Sequence, residues 1–158
     1  MLPFIVVLDG ITDVRNFGAI ARTCECAGVD AIVIPERGSV SVGGDAVKTS
    51  AGALLHIPVC RERSAASAVR FLKDNGYTVV AASEKADINY TMADYTVPVA
   101  IVMGAEDVGL SPEVMKLCDT FVSIPQFGHI GSLNVSVAAG VIIYEVVRQR
   151  LQSNMEVI

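Results

Sequence analysis

The sequence predicts an α/β fold, a parallel β-sheet sandwiched between helices. Two observations carry that expectation. Strand-like and helical stretches alternate along the whole chain. The strand-like runs are near-continuously apolar, as parallel strands covered on both faces must be. A length of 158 residues suits one domain with its own core, taken as 1–158, and no internal repeat or low-complexity tract divides it.

Taken in order, the first strand is Phe4-Ile5-Val6-Val7-Leu8. A helix follows over about 17–27, with Phe17, Ile20, Ala21 and Cys24 on one face and Gly28 as its stop. Strands are expected at 31–34 and 57–59. Between them the chain is Gly/Ser-rich and then helix-like from Asp45. Ser64 opens a helix that ends before Asn75-Gly76, and a strand covers 77–82. Residues 83–98 read as an irregular connection, 99–103 as a strand. Ser111-Pro112 is a good cap and first residue for a short helix. A strand at 121–124 precedes a last helix over 133–151, with Glu145, Arg148 and Arg150 near its end.

Composition narrows the function. Hydrophobic residues make up 52% and mean hydropathy is +0.51, which calls for a large core or a buried oligomer interface. No apolar run is long enough to span a bilayer, and the N-terminal run has no basic flank or cleavage site, so a cytoplasmic protein is expected. Cys24, Cys26, Cys60 and Cys118 form no CxxC pair, and only His56 and His129 could join them. Buried free thiols are expected, and no metal. A net charge of −5 argues against gripping nucleic acid by bulk electrostatics, though not against a local basic site.

Three clusters each follow an apolar strand, where α/β proteins bind ligands. In the first, Asn16 is placed to cap a helix on which Gly18 and Arg22 are four apart. Arg22 would lean back over Gly18 toward the free N–H groups of the helix start, making an anion site. A surface Arg22 paired with Glu25 is the alternative. The second, Met103-Gly104-Ala105-Glu106-Asp107-Val108-Gly109-Leu110, is a Gly-bracketed acidic turn in which Gly104 would let a ligand approach the backbone. No Lys-Ser/Thr follows Gly109, so it is not a P-loop. Otherwise it is a solvated turn. The third runs from Ser123 through Ile124, Gly128 and His129 to Ser132, Leu133, Asn134 and Ser136. Ser132 is a natural cap, while Asn134 and Ser136 open an otherwise apolar helix and need partners if buried. His129 reads as a loop residue. No GxGxxG occurs, so a dinucleotide site is unsupported.

In this order the clusters resemble the three motifs of the SpoU/TrmH branch of the SPOUT methyltransferases. The match runs through Asn16, Gly18 and Arg22; Gly104, Glu106, Gly109 and Leu110; and Ile124, Pro125, Gly128 and Ser132 to Ser136. The tail 144–150 resembles the family's last helix. Gln126 stands where the family often has Met, and Gly131 where Ser is common.

The resemblance implies a SAM-dependent RNA ribose 2′-O-methyltransferase with a deep C-terminal trefoil knot, which the general rule against knots would not have suggested. It implies a homodimer packed through the knot and the final helix. SAM would sit in the knot against Gly104, Ile124 and Leu133, with Met103, Gly109, Ser123 and Gly128 beside them. Arg22 would have the central catalytic role, with Asn16, Glu106, Ser132 and Asn134. A protonated guanidinium has no acceptor, so physics favours Arg22 as a clamp on the RNA phosphate. Asn16 would orient the RNA or Arg22, from its own or the partner subunit. The RNA is expected to be rRNA, a large-subunit guanosine first, with tRNA next. Members acting on large rRNA carry an N-terminal RNA-binding domain, and this chain starts at the first catalytic strand. The alternatives are a catalytically inactive RNA-binding homologue and a small-molecule nucleotide-binding regulator with an open sheet.

Overall fold

A computed structural model describes residues 2–105 and 109–156. It contains one seven-stranded sheet. The strands are β1 (Phe4–Asp9), β2 (Ala31–Pro35), β3 (Val59–Glu62), β4 (Thr78–Ala82), β5 (Ile88–Asn89), β6 (Val99–Gly104) and β7 (Thr120–Ser123). They lie in the order β3-β2-β1-β6-β4-β7-β5, with neighbouring strands parallel throughout. The helices among the described residues are α1 (Val14–Ala27), α2 (Gly44–Thr49), α3 (Ala65–Asp74), α4 (Pro112–Leu117) and α5 (Val135–Glu156).

Alternation along β1 sorts the core into two layers. Phe4, Val6 and Leu8 pack with Phe17, Ile20 and Cys24 of α1 and with Ile142, Ile143 and Val146 of α5. Val7 faces the other way, toward Ala68, Val69 and Leu72 of α3 and Val114 of α4. Each fully buried side chain of this size contributes about 1.5–3 kcal/mol. The parallel α/β sandwich expected from the alternating pattern is the observed fold.

Boundaries shift where the expectation leaned on apolar content. β3 lies at 59–62 rather than 57–59. It is an edge strand that exposes Cys60, Arg61 and Glu62, so it needs no apolar run. β5, two residues long at the opposite edge, falls inside the stretch expected to be irregular. α1 begins three residues early because Asp13, not Asn16, caps it. Gly28 ends it in the left-handed conformation, φ 77°. Only Cys24 is a buried thiol; Cys118 is half-buried, and Cys26 and Cys60 are exposed.

α5 is latched to the opposite end of the sheet from its start. The Arg150 guanidinium donates to the carbonyls of Leu2, Pro3, Tyr95 and Val97 at 2.9–3.0 Å and stacks over the Phe4 ring. Gln149 accepts from the Tyr95 N–H at 3.0 Å. Among the described residues no helix is long and apolar enough to cross a membrane.

Candidate functional site

The ends of β1 and β6 meet in register, Asp9 opposite Gly104. Asp9 then fastens both ends of the turn after β6: its carbonyl accepts from Ala105 N at 3.1 Å and its carboxylate from Ser111 N at 3.0 Å. Gly109 N donates to Ala105 O at 2.8 Å, and Gly109 turns the chain at φ 68°. A Cβ on Gly104 would lie 2.7 Å from the Gly109 carbonyl carbon and 2.8 Å from Leu110 N. The glycine is therefore required by returning backbone, not first of all by a ligand. Glu106 lies outside the described residues, as do its neighbours Asp107 and Val108.

On α1, the Asp13 carboxylate accepts from Arg15 N at 2.8 Å and Asn16 N at 3.0 Å, so the expected cap at Asn16 is displaced by three residues. Asn16 sits in the first helical turn with its side chain free for other work. Gly18 does not serve to clear a path for Arg22. A Cβ there would lie 2.7 Å from the Thr49 Cβ and 2.9 Å from the Thr49 carbonyl carbon, so α2 fills that space. Arg22 is exposed and makes no hydrogen bond or ion pair with a described residue, Glu25 included.

The loop after β7 ends at Asn134, not Ser132. The Asn134 Oδ1 accepts from Ser136 N at 2.9 Å and Val137 N at 3.4 Å, and from the Ser136 hydroxyl. The Asn134 carbonyl takes the first helical bond, from Ala138 N. Asn134 is thus the cap of α5. Its Nδ2 donates to Asn16 Oδ1 at 3.1 Å, across 118 residues of sequence. The first and third clusters are joined by that bond within one chain.

Above the ends of β6, β4 and β7 lies a cavity of about 300 Å³. Of the seven residues expected around a cofactor, Met103, Gly104, Gly109, Ser123, Ile124 and Leu133 line it; Gly128 does not, and is exposed. Ser132 lines it as well. The sequence reading missed the stretch 82–85 at the end of β4, together with Met115 of α4 and Ala138 and Ile142 of α5. Only the end of an apolar strand marked 82–85 as ligand-facing. Leu110, Ile124, Leu133, Ala138 and Ile142 make much of the wall apolar, while Glu84 and Lys85 stand at it with charges. The thiols take no part. Burial pushes Cys24 up to about 12 and, with Asp119 nearby, Cys118 up to about 11, so both are uncharged and inert near neutral pH. Among the described residues no group of His, Cys, Asp and Glu converges to hold a metal ion.

Comparison with known proteins gives the family and the fold. The family model described as SpoU rRNA Methylase matches residues 3–144. A TrmH family tRNA/rRNA methyltransferase of Staphylococcus saprophyticus is 42% identical over 149 residues, 94% of this chain and 60% of that protein. Its counterpart in Staphylococcus haemolyticus is 42% identical over 96% of this chain and 61% of its own length. The chain therefore spans about three fifths of the curated relatives it matches. Among solved structures, the TrmH/SpoU tRNA modifying enzyme of A. aeolicus superposes with a TM-score of 0.87 at 31% identity, over 98% of this chain and 79% of that one. The SpoU methyltransferase AviRb of Streptomyces viridochromogenes, solved with the cofactor AdoMet, gives 0.86 at 30% identity over 93% and 57%.

Proposed function

The chain belongs to the SpoU rRNA Methylase family, and from that premise we propose that it is the catalytic domain of an enzyme that methylates a ribose 2′-hydroxyl of structured RNA, with SAM as donor. One observation carries the reading. The turn after β6, the loop after β7 and the start of α5 close on a single cavity, and the Asn134–Asn16 bond brings the Arg22 helix to it.

The cavity suits SAM. Its volume is at the low end for small-molecule sites, and its wall mixes apolar side chains with Gly104, Gly109, Ser123 and Ser132. Gly104, Ile124 and Leu133 would read the adenine through N–H and C=O groups, with Met103, Gly109 and Ser123 closing the wall and Gly128 shaping the loop. SAM bound there supplies a methyl group on a cationic sulfur. Residues of this chain must then bring a ribose oxygen into line with it and ease the loss of its proton.

Arg22 clamps the target phosphate: it is exposed, has no partner among the described residues and is permanently charged, with five donors and no acceptor. Asn16, its carbonyl held by Asn134, turns its own amide N–H toward the RNA. Ser132 supplies a polar group to the wall and Asn134 caps the helix beside it, and the family resemblance gives Glu106 a role with them. The favoured substrate is rRNA, a large-subunit guanosine first and tRNA next, in the cytoplasm. A homodimer is supported by apolar side chains left in water along the loop after β7 and α5: Phe127 is 96% exposed, Ile130 77% and Val137 51%. The same premise supports a trefoil knot in this C-terminal segment.

The test is incubation with labelled SAM and unmodified rRNA or tRNA, followed by mapping of 2′-O-methylated nucleotides. Arg22→Ala should cut transfer at least about a hundredfold while leaving SAM affinity unchanged in calorimetry. A collapse of SAM affinity would sink this division of the site. RNA binding with SAM present but no label would favour the inactive homologue.

A further inference from the structure

We infer that the surface where α2 packs on α1, continued by the loop 36–43 that leads into α2, is a second set of phosphate contacts for RNA, made by Arg15, Lys48 and Arg37 beside Arg22. It rests on the RNA reading above and widens it from one arginine to a surface.

The contact at Gly18 sets the geometry. Thr49 of α2 sits where a Cβ of Gly18 would be, and its hydroxyl donates to Val14 O at 3.3 Å. Arg15 and Arg22 lie one turn before and one turn after Gly18, on the same side of α1. Lys48 adjoins Thr49. Three cations thus surround one helix–helix contact. All are exposed, and none forms an ion pair with a described residue. The nearby acids are turned to other uses or stand apart as single charges: the Asp13 carboxylate accepts the N–H groups at the start of α1, and Asp45 is the one acid of α2. Over residues 13–63 six cations match six acids, so this region is neutral overall while the rest of the chain carries the whole charge of −5 and repels a polyanion.

The loop carrying Arg37 is braced. Arg61 on edge strand β3 donates from Nη2 to Val40 O at 3.0 Å and from Nη1 to Ser39 Oγ at 3.4 Å. Ser39 Oγ in turn donates to Pro35 O at 2.6 Å, and Val40 is buried. Arg61 is thereby a positioning residue. A loop ordered beforehand loses less entropy when a polyanion binds. Contacts of this kind position the backbone and carry no sequence information, so they fit any RNA presented to Arg22.

The experiment is fluorescence anisotropy of the whole chain with a fluorescein-labelled rRNA hairpin, across a salt series starting at about 50 mM. Lys48→Glu and Arg37→Glu should each weaken binding about tenfold at the lowest salt and flatten the plot of log K against log salt by about one. Arg61→Ala should weaken it several-fold. Arg70→Glu, on α3 across the sheet, should leave it unchanged. SAM affinity and melting temperature should hold in every variant. The proposal is overturned if Lys48→Glu and Arg37→Glu bind as wild type, or if their loss is matched by a fall in SAM affinity or melting temperature. Wild-type protein that binds SAM but no RNA overturns this surface alone. Protein that binds neither overturns the reading beneath it.

Discussion

After β1 the chain passes from Asp9 through a four-residue turn into α1, so Asn16 and Arg22 ride on a helix wedged between α2 and α5. After β6 and β7 it enters a turn and a loop instead: Gly104 is held in register opposite Asp9 and the chain reverses at Gly109, while Ile124 and Leu133 lie in the loop after β7. Both sides use a glycine at close approach. On the α1 side the missing Cβ lets two helices touch. On the β6 side it lets a turn fold onto the strand it has just left. The arrangement separates two demands. In the proposed reading, the side that would meet a large, charged substrate is stiffened by packing, and the side that would take in a small molecule is built of turns and loops.

Gly18→Ala should be the sharpest way to break this contrast. The added Cβ would press on Thr49 side chain and backbone together, at a cost of about 3 kcal/mol or a fall of roughly 10 °C in melting temperature. Thermal unfolding within about 2 °C of wild type would show that α2 yields easily and that the α1 side is no stiffer than the loops. Gly104→Ala should act differently. Overpacking against Gly109 and Leu110 costs about 1–3 kcal/mol, and SAM affinity measured by calorimetry should fall about tenfold or more. Retained affinity would place the cofactor elsewhere. Asn134→Ala tests the joint between the sides with the smallest loss of stability. Losing the α5 cap costs about 1 kcal/mol, yet methyl transfer should fall further than SAM affinity because Asn16 loses its partner. Equal falls in the two would mean that Asn134 belongs to the cofactor side alone.

How much of this was legible in the sequence follows from which forces act locally. Apolar runs covered on both faces mark β1, β2, β4, β6 and β7, because parallel strands have no wet face. β3 slipped and β5 escaped because edge strands need not be apolar: Arg61 and Glu62 are in a ladder, and Ile88-Asn89 is too short to leave a pattern. The three clusters stood out because each follows a strand end. Their caps were misplaced by two or three residues because Asp13 and Asn16, like Ser132 and Asn134, are equally fit to cap a helix. Only the fold decides which is used. Spacing likewise showed that Gly18 had room above it, but not that Thr49, thirty-one residues on, would take that room. The cavity wall at 82–85 carries no motif at all, since its place depends on β4 lying between β6 and β7.

The Arg150 latch also fixes the geography of the termini. With its guanidinium bonded to the Leu2 and Pro3 carbonyls, the beginning of β1 and the far end of α5 lie side by side at the sheet's N-terminal pole. The cavity opens at the other pole, the height of a six-residue strand away, about 20 Å. Any module tethered to either terminus of this domain therefore hangs from its underside. It needs roughly six extended residues of linker climbing the flank before it can touch a molecule resting over the cavity. A fusion with a shorter tether would have to reach a neighbouring copy instead.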